Sequence, residues 1–127
     1  MRKKTKNLSE IEMVLFKICI NKGEVIVRDV YEEMLKTEPK NYMTIKTEMD
    51  RIVDKGYLRR RKLGPIFIYT PTISKSDFSL NSIEFLAEKV LDNDLSPMLT
   101  YFVKHKSKIT DEELKQLKKL TENIEED

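Results

Sequence analysis

Four consecutive basic residues, Arg59-Arg60-Arg61-Lys62, stand a short way downstream of Thr44, Lys46, Thr47 and Arg51. Guanidinium and ammonium groups in such a run neutralise phosphates and release counterions, which supplies affinity without sequence information. At the earlier positions, lysine and arginine can donate to guanine, and threonine can touch a thymine methyl or a phosphate. This is the chemistry of holding a polyanion, not of making or breaking bonds. There is no P-loop, no G-x-G-x-x-G, no G-x-S-x-G and no H-E-x-x-H. The single cysteine, Cys19, and single histidine, His105, cannot assemble a Cys/His metal site within one chain, and no calcium-loop pattern is present. No catalytic residue, metal ligand or cofactor is expected.

These residues need two elements to position them. Thr44 to Lys55 is a short amphipathic helix with Ile45, Met49, Ile52 and Val53 inward, stopped at Gly56. It leaves Thr44, Lys46, Thr47, Asp50 and Arg51 outside. Glu48 and Asp50 would repel phosphate unless they point sideways or pair, and Asp50 and Asp54 can pair with neighbouring basic side chains. The hairpin follows at once: a basic strand from Tyr57 to Lys62, a tip at Gly64-Pro65, and an apolar strand from Ile66 to Pro71. Tyr57, Phe67 and Tyr69 fall on these strands and are expected to pack across them. A helix leading directly into a basic ribbon is the reading half of a winged helix-turn-helix.

Upstream, Ser9-Glu10-Ile11-Glu12 is a capping box, with Leu8 placed to staple onto Met13. The first helix carries Ile11, Val14, Leu15, Ile18 and Cys19 on one stripe and ends at Gly23. Cys19 on that stripe reads as a small buried hydrophobe. Val25-Ile26 suits a short strand at the base of the wing. A second helix from about Val27 to Lys36 turns Val30, Met34 and Leu35 inward.

Pro71 closes this unit, and Thr72 to Asp77 reads as a hinge. Three helical patterns follow. The first, Ser79 to Leu91, carries Ile83, Leu86, Ala87 and Val90. The second follows a Ser96-Pro97 cap and carries Met98, Leu99, Phe102 and Val103. The third opens with a capping box at Thr110 and carries Leu114, Leu117, Leu120 and Ile124. Such narrow stripes on charged rods need a partner surface, and a second subunit is the favoured one. His105, between Lys104 and Lys106, reads as solvated.

The net charge of +2 hides an asymmetry: residues 1–73 hold 16 Lys/Arg against 10 Asp/Glu, and residues 74–127 hold 8 against 12. The first half is thus +6 and the second −4, which fits a polyanion-binding front or an uneven draw of ordinary surface charge. The basic start, Met1 to Lys6, is not followed by an apolar segment of signal-peptide length, and no run can span a bilayer. With one cysteine, a reducing, cytoplasmic location is expected. The fold expected is mainly α with a small β-hairpin: a winged helix-turn-helix over residues 1–73 and a helical dimerisation arm over residues 74–127.

The residues also carry a resemblance. Leu8-Ser9-x-Ile11-Glu12, Val27-Arg28-Asp29-Val30, Tyr42-Met43-Thr44-Ile45-Lys46-Thr47, Arg51 to Leu58, and Tyr69-x-Pro71 together resemble the BlaI/MecI/CopY repressors over nearly the whole chain. The resemblance implies a homodimeric bacterial repressor of palindromic operators in double-stranded DNA, with interlocked C-terminal helices; members govern β-lactam resistance or copper handling. On matching positions, Thr44, Lys46, Thr47 and Arg51 would belong to the recognition helix, entered through Tyr42 and Met43. Arg60 and Lys62 would lie in the wing, beside Arg61 of the basic run.

Several departures matter. Pro65 replaces a basic wing-tip residue, Met43 a small polar or basic one, and Ile26 a capping residue. The cysteine motif of the copper-responsive branch does not appear in Thr121 to Asp127, and with one cysteine copper sensing is not expected. In the β-lactam branch, a membrane sensor-protease system releases the repressor by cleavage at an Asn-Phe step. The matching step here is Tyr101-Phe102, where the phenylalanine alone matches, and Phe102 reads first as a dimer core residue. The rival reading is a winged-helix adaptor, of anti-sigma or antitoxin type, in which Glu48 and Asp50 interrupt the basic face.

Overall fold

Ser9 starts the first helix through the reciprocal bonds of its capping box. Glu12 N–H donates to Ser9 Oγ at 3.3 Å, and Ser9 N–H donates to Glu12 Oε1 at 2.7 Å. In the computed structural model, which describes residues 7–124, this helix is α1, Glu10–Lys22. The basic segment 1–6, the end 125–127 and the side chains of Asn123 and Ile124 lie outside the described residues.

Gly23 ends α1 at φ 92°, a conformation that glycine adopts without a Cβ penalty. Leu15, Phe16 and Cys19 are fully buried, and Ile11, Val14 and Ile18 pack half-buried beside them. Phe16 extends the expected stripe, because its ring meets Tyr57 and Phe78 edge-on at 5.6 and 4.8 Å. Leu8 is buried, whereas Met13, its expected staple partner, is exposed.

Helix α2, Val27–Thr37, begins at Ile26, which has no side-chain acceptor; Asp29 Oδ2 takes the Ile26 N–H at 3.0 Å. Its buried stripe is Val27, Val30 and Met34. Leu35, expected inward, is exposed, since it lies one residue round the helix from that stripe. Helix α3, Tyr42–Asp54, starts two residues before Thr44 because Asn41 caps it, its Oδ1 accepting the Met43 N–H at 2.8 Å. Ile45, Met49 and Ile52 are buried and Val53 is half-buried against the core.

Strands β1, Leu58–Leu63, and β2, Ile66–Pro71, pair antiparallel, with Arg60 opposite Tyr69 and Lys62 opposite Phe67. Gly64, at φ 60°, occupies the first turn position ahead of Pro65, as a two-residue primed turn requires. Val25 adds the expected short bridge: its N–H donates to Tyr69 O at 3.0 Å and its C=O accepts the Tyr69 N–H at 2.8 Å. Tyr57 does not pack across the wing; it precedes β1 and joins the Phe16 and Phe78 rings in the core. These elements form a winged helix-turn-helix, mainly helical with one hairpin.

The chain divides into two compact units, Met1–Asn81 and Ser82–Asp127. The segment expected as a hinge is tied down instead. Thr72 Oγ1 donates to Gly56 O at 2.7 Å, Thr72 N–H donates to Tyr57 O at 2.9 Å, and Ile73 packs on the core. Helix α4, Lys75–Phe85, already begins within it, and Phe78 anchors that helix against Phe16, so the first unit extends past residue 73.

Beyond α4, a π-helical turn runs from Leu86 to Val90. Asp92 and Asn93 then take positive φ before α5, Ser96–Lys104. Asp94 is the side chain that caps this turn, accepting the Ser96 N–H at 3.1 Å; Ser96 itself is already helical. A 3₁₀ turn at Lys106–Lys108 leads to α6, Asp111–Ile124, which opens with the expected box between Thr110 and Glu113. His105 is half-buried rather than solvated, stacked on Tyr101 at 4.1 Å. No described helix is long and apolar enough to cross a membrane.

Candidate nucleic-acid interface

Because α3 buries Ile45, Met49 and Ile52, its opposite face must carry Thr44, Thr47 and Arg51, one turn apart, and all three are exposed. The first turn adds Met43, 60% exposed, and Tyr42, whose ring rests edge-on against Tyr31 at 5.6 Å. This face offers two hydroxyls, a guanidinium, a thioether and a phenol. Arg51 Nη1 contacts Glu48 Oε1 at 3.1 Å while its own side chain remains 61% exposed.

The wing's basic run does not act as one block, because strand side chains alternate. Leu58 faces the core, so Arg60 shares its side of the sheet while Arg59 and Arg61 take the other. Arg60 Nη1 donates to Asp50 Oδ1 at 2.6 Å, and its guanidinium lies 4.7 Å from the Phe67 ring centroid. Arg61 Nη2 reaches Glu24 Oε2 at 3.3 Å. Among the described residues, Arg59 and Lys62 make no ion pair, and both are exposed.

Asp50 is the centre of the junction between α3 and the wing. Its Oδ1 accepts from Arg60 and, at 2.7 Å, from the Tyr69 hydroxyl; its Oδ2 accepts from Lys46 Nζ at 2.9 Å. Burial pushes the Asp50 carboxyl up, but the bonds from Tyr69, Lys46 and Arg60 outweigh it and hold the group below its ordinary value. Burial, then the facing Asp50 carboxylate, pushes the Tyr69 hydroxyl well above its ordinary value. Tyr69 is fully buried, and its backbone is the one bonded to Val25. One carboxylate therefore ties together the helix, both strands of the wing and the segment before α2.

A second pair fixes the other end of α3. Glu12, 2% exposed, accepts from Lys55 Nζ at 2.5 Å, and Lys55 also donates to Asn7 O at 3.0 Å. Burial raises the Glu12 carboxyl, and the bonds from Lys55 and Ser9 more than offset this. Glu12 was legible only as a capping residue; its pairing with a residue far along the chain left no local signal. Asp50 was legible as a partner of Lys46 from their spacing of four, but not as a partner of Arg60 or Tyr69. Burial pushes the Cys19 thiol up to about 12, in keeping with a buried hydrophobe.

In the second unit, Tyr101 and Phe102 are both more than half exposed, their rings edge-on at 6.2 Å. They line an apolar cavity of about 420 Å³ with Ile83, Leu86, Leu91, Pro97 and Met98. They lie on α5, remote in sequence from the residues of α3 and the wing.

Comparisons with known proteins agree with this arrangement. A family model described as penicillinase repressor matches residues 8–123. The penicillinase repressor of Bacillus licheniformis is 29% identical over 121 residues, covering 94% of this chain and 93% of its own. The methicillin resistance regulatory protein MecI of Staphylococcus aureus is 24% identical, covering 94% of this chain and 97% of its own. The solution structure of the DNA binding domain of the repressor BlaI superposes with a TM-score of 0.52 at 32% identity, covering 61% of this chain and 93% of that one. The chain belongs to the penicillinase repressor family, and it is a DNA-binding transcriptional repressor, not an enzyme.

Proposed function

We propose that the protein represses transcription from the cytoplasm as a homodimer on a palindromic operator. The observation that carries this reading is the outer face of α3: Thr44, Thr47 and Arg51 stand exposed in line, one turn apart, beside an exposed basic strand. In this reading α3 enters the major groove, where Thr44, Thr47 and Arg51 meet base edges and Tyr42 and Met43 approach from the first turn. Arg59, Arg61 and Lys62 meet the neighbouring phosphates. Lys46 and Arg60 lie at the same junction with their charge shared with Asp50.

The acidic residues that favoured an adaptor do not present free charge here. Glu48 is paired with Arg51 and Asp50 with Lys46 and Arg60, which supports the nucleic-acid reading over the protein-binding one.

The second unit supplies the dimer in this reading. Its helices expose Leu99, Phe102, Val103, Leu114, Leu117 and Leu120, an apolar surface suited to a second copy. Tyr101 and Phe102 belong to that contact, and hydrolysis between them by a membrane sensor-protease system would break it and release the operator.

Fluorescence anisotropy on random-pool duplexes at two salt concentrations tests the core of the proposal. Tight binding that weakens steeply with salt is expected, and selection from that pool should return two inverted half-sites. Absence of binding to any duplex at low salt overturns it. Recovery of a single, non-repeated site overturns the dimeric reading alone.

A further inference from the structure

The pairing at the wing junction has a cost for a protein that binds a polyanion. Lys46 and Arg60 are well placed cations, yet both donate to one carboxylate, at 2.9 and 2.6 Å. Asp50 is 27% exposed in its side chain, so it lies near enough to solvent to act on an approaching phosphate. Its position is over-determined. The buried Tyr69 hydroxyl holds Oδ1 from beneath, and Tyr69 is itself clamped through its backbone to Val25. A surface carboxylate pairing only for stability would contribute little and would need no such support.

We infer that Asp50 is a positioning residue that restrains sequence-independent DNA affinity: it holds Lys46 and Arg60 off the phosphates while locking the wing to α3. The triad of Lys46, Asp50 and Arg60 carries a net charge of +1 where two free cations would carry +2. Binding must then draw more heavily on the exposed face of Thr44, Thr47 and Arg51, so a fraction of backbone affinity is exchanged for discrimination. The carboxylate does not touch DNA; it acts through the two cations and through the angle of the wing. This inference rests on the DNA-binding reading above.

The test is the salt dependence of binding to a mixed-sequence duplex, measured on the full chain. Asp50→Asn keeps an acceptor for Tyr69 and removes the charge. It should steepen the slope of log K against log salt by about 0.9 to 1.8, one or two added phosphate contacts, and tighten non-specific binding about 10- to 60-fold near 0.1 M salt. An unchanged or shallower slope overturns the inference. Two further variants decide the matter even if Asp50→Asn fails to fold. Lys46→Gln should move the wild-type slope by well under half a contact, whereas Lys62→Gln should lower it by about 0.9. A full-contact loss from Lys46→Gln overturns the inference. Tyr69→Phe, which removes one neutral donor and leaves both cations beside the carboxylate, should lower the melting temperature and steepen the slope by less than Asp50→Asn does; an equal or larger change counts against the inference. Failure of the wild-type chain to bind any duplex would sink the DNA-binding reading itself, a result distinct from all of these.

Discussion

The two units spend similar apolar residues in opposite ways. In the first, Leu15, Phe16, Val30, Met34, Ile45, Met49, Ile52 and Tyr69 converge from three helices and a hairpin and lose nearly all contact with water. In the second, Leu86, Val90, Leu99, Phe102, Val103, Leu114, Leu117 and Leu120 remain at least 40% exposed. Both sets recur at helical spacing. The difference is closure: stripes from several elements of the first unit face one another, and those of the second leave an open apolar cavity beside Tyr101 and Phe102. An amphipathic pattern therefore specifies that a face will be covered, not what covers it.

The largest test of this contrast is removal of the second unit. Residues 1–81 alone should melt cooperatively as a monomer, and operator affinity should fall by about 10²- to 10⁴-fold as the two-site linkage of the proposed dimer is lost. Light scattering and anisotropy check this. A truncated chain that remains dimeric would erase the division of labour between the units.

Single core substitutions should separate the units next. Phe16→Ala removes a ring packed on Tyr57 and Phe78 and should cost about 3–5 kcal/mol, independent of protein concentration. Leu99→Ala, on the exposed set, should instead lower stability in a concentration-dependent way, through the proposed dimer. Denaturant melts at two concentrations read both, and matching behaviour would break the comparison.

Acid should weaken the first unit through Glu12 and Asp50. Glu12 and Asp50 have folded pKa values below their ordinary ones of 4.5 and 3.8, so each takes up a proton more readily when unfolded. Their contribution is complete above the ordinary values and is lost as pH falls through the lowered folded ones. Melting temperature should be level above about pH 5 and drop below it. Glu12→Gln should cost about 1.5–3 kcal/mol at neutral pH and flatten the acid limb. An acid limb equally steep in that variant would remove Glu12 from the account.

The smallest expected effect is at Cys19. Its thiol is buried and pushed up to about 12, so it should resist alkylation in the folded protein and react only on unfolding. Being favoured in its neutral form, it contributes stability below 9.0 that is lost as pH rises towards 12. Protection should persist in residues 1–81 alone. Rapid labelling of that fragment would show that the first core depends on the second unit.

Most of the first unit was legible from its residues. The capping box at Ser9, the stop at Gly23, the turn at Gly64-Pro65 and the Val25 bridge all rest on local chemistry. Sequence and structure part where a local signal competes with a distant partner. Thr72 to Asp77 is polar enough to read as a hinge, yet Thr72 binds the Gly56 and Tyr57 carbonyls and Phe78 fills the space beside Phe16. Tyr57 looked like a wing residue because it adjoins β1, but the same two rings draw it into the core. In the candidate site, Thr44, Thr47 and Arg51 followed from helical period alone. The sorting of the basic run followed only once the register put Arg60 opposite Tyr69.

The sequence by itself determined the elements, their order and the family, because caps, glycines and periodicity act within a few residues of one another. Tertiary structure alone decided which charges are free to meet a phosphate. Arg59, Arg60, Arg61 and Lys62 look alike in the chain. Folding brings Asp50, already beside Lys46 by helical spacing, to Arg60 and Glu24 to Arg61, and leaves Arg59 and Lys62 exposed. The reason is distance: an ion pair depends on separations of about 3 Å between side chains, and nothing in the chain order sets those separations until the wing has packed against α3.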